Sequence, residues 1–428
     1  MVRVPSTALP GHAGETVTVA GWIHRRRLLK SVAFLILRDA AGLAQVVVTD
    51  PAVRARIEEL PEETVVEVVG TVVANPAAPA GVEVTEPAVR VLGEPAVPPP
   101  FDLYRPELTA SLPTQLDHAA VALRHPTRSA ALRVSAAAVA GFRATLDALG
   151  FVEVQTPKIV ASATESGANV FALDYFGRPA YLAQSPQFYK QLMVGVFERV
   201  YEVGPVFRAE PHDTTRHLAQ YTSLDVELGF VADHRDVMAV LREVLAGMAA
   251  EVARRAGGAL AGLGAELPAV PAEIPAVHFT EALAIAGAPA DEPDLAPAHE
   301  RALGEWARER YGSEFLFVTG YPMAKRPFYT HPDPARPGHS NGFDLLFRGV
   351  ELVTGGQRLH RYADYVAALA DRGEPIEPYA SYVDAFRHGM PPHGGFAIGL
   401  ERFVSRVTGA ANVREVTAFP RDLQRLTP

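Results

Sequence analysis

A proline-rich break, EPAVPPPFDLYRPE from Glu94 to Glu107, limits what this chain can fold into more than any other stretch. Proline lacks an amide donor and restricts the residue before it, so neither a helix nor a central strand runs through such a segment. A chain of 428 residues is long for a single core, and the break divides it into two parts that can each fold alone. Residues 1–95 read as one domain, 96–125 as a linker and 126–428 as a second, larger domain.

The first part is written in short β-branched runs. TVTVAGWI (Thr16 to Ile23), AFLILRD, LAQVVVTD, TVVEVVGTVV and the pair VEVT and AVRVL are separated by Gly, Asp or Pro. Five strands of this length predict a small closed barrel, and the OB-fold is the five-stranded version that binds single-stranded nucleic acid. A barrel with no ligand fits the same pattern. Within it lies GWIHRRRLLK, three consecutive arginines in a chain of formal charge −9. A negative total argues against a general polyanion binder and leaves room for a local basic patch.

The second part mixes periods. Val139, Phe142, Leu146 and Leu149 recur at helical spacing before Gly150, and VMAVLREVLAGMAAEVARR predicts a second helix over Val237–Arg255. The stretch near 257–297 is rich in Ala, Pro and Gly and carries no recognisable chemistry. There is no cysteine, which excludes disulfides, thiolate metal sites and thiol catalysis. No run approaches the roughly 18 apolar residues of a membrane helix, and the first residues lack the apolar segment of a signal peptide. The chain is read as soluble and cytoplasmic, with no membrane contact.

Three blocks of the second part place charged residues where strands should bury apolar ones. VEVQTPKIVASATESGANVF contains Pro157, which a strand tolerates at an edge. YEVGPVFRAEPHDTTRHLAQYTSLDVELGF sets Arg208 and Glu210 two apart on one strand, then a long turn, then His217, Tyr221, Asp225 and Glu227 on a returning strand. Such a hairpin can hold a nucleoside triphosphate, with guanidinium on phosphate and the ring on the base. Alone, any one of these residues is more often a surface ion pair. In the third block, Asp344 and Glu351 are spaced to offer two carboxylates to Mg²⁺ beside a phosphate, and glycines 394, 395 and 399 precede Arg402. No GxxxxGK[ST] pattern is present, so the nucleotide would not sit on a P-loop.

Taken in order, FVEVQTP, FRAE…TTRHLAQY and GGFAIGLERF resemble the three signature motifs of the class II aminoacyl-tRNA synthetases. TESG, AQSPQFYKQ, GGQR, GMPPHGGF and the ending NVREVTAFPRDLQRLTP narrow the resemblance to the aspartyl-tRNA synthetase family of compact archaeal type, over essentially the whole chain. The resemblance implies an α+β protein: an N-terminal OB-fold β-barrel plus a class II antiparallel sheet flanked by helices. It also implies a homodimer built around the first motif, with Pro157 at the interface.

The implied reaction activates L-aspartate with ATP and Mg²⁺, then transfers it to tRNA. By carry-over, Arg208 holds the α-phosphate, Glu210 and Tyr221 the adenine, and His217 and Arg402 the outer phosphates, so that Arg208, His217 and Arg402 carry catalysis. Glu351 belongs to the ATP site and, with Asp344, to the metal. Lys190 and Arg358 match residues that clamp the aspartate side chain, with Glu165, Gln187 and Asp225 around its α-amino end. Asparagine would leave both cations unpaired, which can be worth roughly 10⁴-fold in discrimination.

In the barrel, the resemblance implies that Phe34 stacks an anticodon base and Gln45 reads a base edge, while Arg25 and its neighbours meet phosphates. His24 and Pro79 match members that accept tRNA(Asn) as well as tRNA(Asp) and pass the product to an amidotransferase. Three features depart from the family pattern: Gln220 where Glu is usual, Ala397 for the middle glycine of the third motif, and RRRLLKS without the usual Asp and Gly. The alternatives are an enzyme confined to tRNA(Asp), an asparagine- or lysine-activating enzyme, and an inert RNA-binding regulator. The joint presence of Lys190, Arg208, Asp344, Glu351, Arg358 and Arg402 speaks against the last.

Overall fold

The computed structural model describes residues 3–162, 169–211 and 213–428, in two compact units, Met1–His125 and Pro126–Pro428. In the first unit, β1 (Thr16–Leu28), β2 (Ala33–Arg38), β3 (Leu43–Val48), β4 (Val65–Ala74) and β5 (Val82–Val91) close a barrel in the order β1-β2-β3-β5-β4. Alternate apolar residues, most of them β-branched, such as Ile23, Leu35, Val46, Val66, Val68 and Val84 fill its interior without exposure to water. Helix α1 (Pro51–Glu58) follows β3, its first turn capped by the Asp50 carboxylate, which accepts from the amides of Ala52 and Val53. The five runs of the sequence are the five strands, VEVT and AVRVL joining into β5 across Pro87.

One strand differs from expectation. RRRLLKS reads as a loop, yet β1 continues through Leu28, pairing Arg25 with Ile36 and Arg27 with Phe34. The register slips between Ile23 and Arg25, so His24 is the extra residue of a β-bulge. Residues 96–125 belong to the first unit and include two short helices, α2 (Leu112–Asp117) and α3 (Ala119–Ala122).

The second unit opens with α4 (Pro126–Ala148) and the two-residue strand β6 (Val152–Glu153). Strands β7 (Ile159–Val160), β8 (Ala172–Tyr175) and β9 (Arg178–Leu182) form a small sheet of their own. Helix α5 (Gln187–Phe197) leads into β10 (Arg199–Phe207) and β11 (Gln220–Gly229), followed by the long α6 (His234–Gly262). After β12 (Ala276–His278) come α7 (Phe279–Ile285), α8 (Pro297–Tyr311) and β13 (Phe315–Thr319). A hairpin of β14 (Pro332–Asp333) and β15 (Arg336–Ser340) precedes β16 (Gly342–Phe347) and β17 (Val350–Gln357). Helices α9 (Tyr362–Asp371) and α10 (Ala380–Asp384), strand β18 (His393–Gly399) and helix α11 (Leu400–Thr408) complete it.

Eight of these strands form one sheet, ordered β12-β13-β16-β17-β18-β11-β10-β6, antiparallel except for its outermost pairs. Helices α4 and α6 pack against one face through Phe142, Leu146, Val244 and Met248. Of the helical stripe expected from the sequence, Phe142 and Leu146 are fully buried, whereas Val139 and Leu149 lie at the margin of that core. The other face carries the polar residues.

Candidate active site

Strand β11 shows how the site is made. Its even-numbered residues Leu224, Val226 and Leu228 enter the core, so Tyr221, Ser223, Asp225 and Glu227 share the opposite face. On the neighbouring β18, Phe396 and Ile398 are core while Gly395, Ala397 and Gly399 take the site face. Strand β17 needs a correction to this rule, because by period two Glu351 would point the same way as buried Val353. A bulge at Leu352, where Leu345 pairs with Val353 but Leu346 with Glu351, turns Glu351 to the site.

At the inner end of the cleft lies a network of buried charges. Lys190 of α5 is 1 % exposed, and its Nζ is 3.0 Å from Asp225 Oδ1 and 3.4 Å from Glu227 Oε2. Arg358 donates from Nε to Glu227 Oε1 at 3.1 Å and from Nη2 to the Gly395 carbonyl at 3.0 Å. Ser223 Oγ donates to Asp225 Oδ2 at 2.5 Å. Each cation is thus held by an internal carboxylate. The expectation that both would be unpaired without a ligand carboxylate is therefore corrected, and Asp225 is a partner of Lys190. Gly395 is required here, because a Cβ would collide with Glu227 Oε2 and the Val226 carbonyl. Gln187 and Lys190 line the same cavity, with Tyr329 and Arg326. Glu165 lies outside the described residues.

The outer end holds the residues expected to meet a nucleotide. Arg208, Glu210, His217, Tyr221, Glu351 and Arg402 all line one cavity, which shares Arg208, Tyr221, Ser223, Glu351, Thr354 and Ala397 with the inner one. Arg208 and Glu210 lie just beyond the end of β10 rather than within it, 3.9 Å apart at their closest charged atoms. The Arg208 guanidinium stands 5.6 Å over the Tyr221 ring. His217 sits in the loop before β11, its Nδ1 2.5 Å from Thr214 Oγ1. Arg402 in the first turn of α11 donates to the Glu351 carbonyl at 2.7 Å, while neighbouring Glu401 accepts the Thr222 amide. Gln220 is exposed, opposite Phe207 of β10 and bridged on its other side to Arg421.

The two carboxylates expected to share a metal are placed differently. Glu351 is half-exposed; its Oε1 accepts from Thr354 Oγ1 at 3.5 Å and lies 3.4 Å from Arg402 Nη1, and its exposed carboxylate beside the Thr354 hydroxyl offers oxygens that fit a hard cation. Asp344 is buried and accepts from Arg326 Nη1 and Nη2 at 3.2 and 3.0 Å. Burial raises its carboxyl above the usual range, opposed by the Arg326 charge. In this arrangement both Asp344 oxygens accept from a guanidinium. Among the described residues no cluster of three or more His, Cys, Asp or Glu could hold a metal ion.

In the first unit the three arginines part company. Arg25 stacks 4.4 Å over Tyr104, Arg26 donates to the carbonyls of Ile57 and Glu58 at the end of α1, and Arg27 lies 5.8 Å over Phe34. Arg26 thereby supplies a side-chain donor to the last carbonyls of α1, whose C-cap residue is Glu59. His24 is 7 % exposed, with Nδ1 3.3 Å from Arg38 Nη1, and Arg38 pairs through two 2.8 Å bonds with Glu63. The ring is thus buried within the barrel wall beside Arg38. Burial and the Arg38 charge lower its pKa to about 4, so the ring is neutral at pH 7. Gln45 is also buried, donating to Glu83 at 3.0 Å, and Asn75, from the loop that carries Pro79, donates to the same oxygen at 2.8 Å.

Sequence reasoning missed Ser223, Thr354 and Arg326, and singled out Glu227 only as one of the polar residues of the hairpin. Period two along β11 points to Ser223 and Glu227. No local pattern marks Thr354, which the β16–β17 pairing sets opposite Asp344, or Arg326, which reaches the site from the loop before β14 by its bonds to Asp344.

This fold and cleft define a class, and sequence comparison agrees. A family model described as tRNA synthetases class II (D, K and N) matches residues 111–423, and one described as OB-fold nucleic acid binding domain matches residues 17–92. The chain belongs to the class II tRNA synthetases of this D, K and N group. Among its relatives, proteins named "Aspartate--tRNA(Asp/Asn) ligase" from Thermus thermophilus and Deinococcus radiodurans are each 46% identical, over 100% of this chain and 100% and 99% of theirs. A crystal structure of asparaginyl-tRNA synthetase from Pyrococcus horikoshii complexed with asparaginyl-adenylate superposes with TM-score 0.91 at 31% identity, over 98% of both chains. Aspartyl-tRNA synthetase from Entamoeba histolytica gives 0.90 at 29%, over 100% of this chain and 93% of that one.

Proposed function

We propose that this chain ligates L-aspartate to tRNA(Asp) and also to tRNA(Asn). The observation that carries the reading is the buried Lys190–Asp225–Glu227–Arg358 network at the closed end of a cleft whose open end is lined by Arg208, His217 and Arg402. In the first step the aspartate α-carboxylate attacks the α-phosphorus of ATP, and the bond to the leaving pyrophosphate breaks. A carboxylate is already ionised at pH 7, so no general base is needed; orientation and neutralisation of phosphate charge carry the rate. Arg208, steadied by Tyr221, takes the α-phosphate, Tyr221 and Glu210 the adenine, and Arg402 and His217 the outer phosphates. In the second step the terminal adenosine 3′-hydroxyl attacks the activated carbonyl, and AMP leaves.

Mg²⁺ would add charge neutralisation at the phosphates, with Glu351 and Thr354 as its protein oxygens. Lys190 and Arg358 orient the amino-acid carboxylate, and Gln187 lies toward the amino end. Acceptance of both tRNAs is supported by the names of the full-length relatives and by His24 and Pro79. The Asp-tRNA(Asn) product then passes to an amidotransferase. The protein works in the cytoplasm; no helix among the described residues is long and apolar enough to cross a membrane.

A homodimer is supported by exposed apolar residues on and next to the last elements of the large sheet: Val152 on β6, Val196 and Phe197 at the end of α5, and Phe230, at 70 %, just after β11, with β6 the outermost strand.

Aminoacylation of tRNA(Asp) and tRNA(Asn) side by side, with aspartate, asparagine and lysine in turn, tests the reading. Aspartate should charge both. Charging with asparagine alone, or refusal of tRNA(Asn), would overturn the corresponding part.

A further inference from the structure

Glu300 lies in the first turn of α8, more than forty residues from any motif, yet its carboxylate is almost fully buried against the outer end of the cleft. One oxygen, Oε2, accepts twice: from the backbone amide of Glu351 at 3.0 Å and from Arg216 Nη1 at 3.3 Å. Both partners line the nucleotide cavity. The Glu351 amide needs such an acceptor, because the bulge at Leu352 disturbs the β16–β17 ladder beside it, and a buried amide without a partner is costly.

Helix α8 is held close enough to supply that acceptor. Gly304, one turn beyond Glu300, meets Gly349 in the β16–β17 turn so closely that a Cβ on Gly304 would stand 2.6 Å from the Gly349 Cα. The helix N-terminus also favours a carboxylate in its first turn. Arg216 in turn sits on the loop that carries His217, so Glu300 couples a phosphate-facing loop to the bulge that aims Glu351.

We propose that Glu300 is a positioning residue for the triphosphate end of the cleft: it sets the direction of Glu351 through the backbone and holds Arg216 through charge. This rests on the proposed aspartate activation. It predicts a separation between the two substrates, because the aspartate network at Lys190 and Arg358 makes no contact with Glu300 among the bonds described.

The test is aspartate-dependent ATP–pyrophosphate exchange by the full chain, its Glu300→Ala, Glu300→Gln and Arg216→Ala variants, with ATP and aspartate varied separately and thermal unfolding followed alongside. Glu300→Ala should raise KM for ATP about tenfold and leave KM for aspartate within twofold. Glu300→Gln, whose amide oxygen can still accept from Glu351, should recover part of that loss, and Arg216→Ala should show the part due to charge. Equal rises in both KM values, or a lowered unfolding temperature with unchanged KM for ATP, would overturn the proposal. A parent protein that fails to exchange with aspartate at all would instead overturn the functional reading.

Discussion

Lys190 and Asp225 meet at 3.0 Å with both side chains 2 % exposed, in a cavity that also receives Arg358 and Glu227. The cations proposed to face the amino acid are therefore already fixed by internal partners. Fixed charges need little rearrangement when a ligand binds, which is where preorganised sites gain over flexible ones.

Replacing Lys190 by Gln leaves Asp225 and Glu227 short of a cation. Truncating one member of a buried pair costs about 2 to 5 kcal/mol, or roughly 30-fold to 4,000-fold in binding or rate. Aspartate-dependent exchange should fall by that factor and the unfolding temperature should drop; normal exchange would show that Lys190 is not part of recognition.

Gly395→Ala places a methyl group against Glu227. Over-packing of this kind costs about 1 to 3 kcal/mol, and Glu227 must turn away from Arg358. Steady-state kinetics should show KM for aspartate raised about tenfold, with a much smaller change for ATP.

Asp344 and Glu351 should separate under substitution. Asp344→Asn removes the charge that holds buried Arg326, so its main effect should be a loss of about 3 to 5 kcal/mol in denaturant unfolding. Glu351→Gln should instead raise the Mg²⁺ concentration needed for half-maximal exchange. Equal effects on Mg²⁺ dependence would return Asp344 to the metal.

His24 makes the barrel sensitive to acid. Its folded pKa, about 4, lies below the ordinary 6.5, so between these values the unfolded chain binds the proton and the folded one does not. The contribution is complete above pH 6.5 and is lost as the pH falls toward 4, by at most about 3 kcal/mol. Unfolding followed by Trp22 fluorescence should show this loss in the parent and a flatter profile in His24→Gln.

The sequence alone determined the five barrel strands, the two long helices and most of the residues that line the cleft; the division between the units falls at Pro126, beyond the proline-rich stretch that suggested it. Strands, helices and cleft are each written in a local signal: β-branched alternation, 3.6-residue spacing, or motif residues whose order along the chain is itself the information. Period two on β11 was enough to bring Tyr221, Asp225 and Glu227 to one face.

What a side chain meets across the fold was decided only by the tertiary structure. His24 became a buried partner of Arg38 because a bulge shifted the register by one residue, and a one-residue slip exchanges the two faces of a strand. Asp344 became a partner of Arg326, and Arg26 a donor to the last carbonyls of α1, through contacts 18 and 31 residues apart. The same local composition allows a free carboxylate or a paired one, a solvated arginine or one bound to a helix end. Pairing across the sheet selects between them, because a buried charge must find its partner wherever the fold brings one within reach.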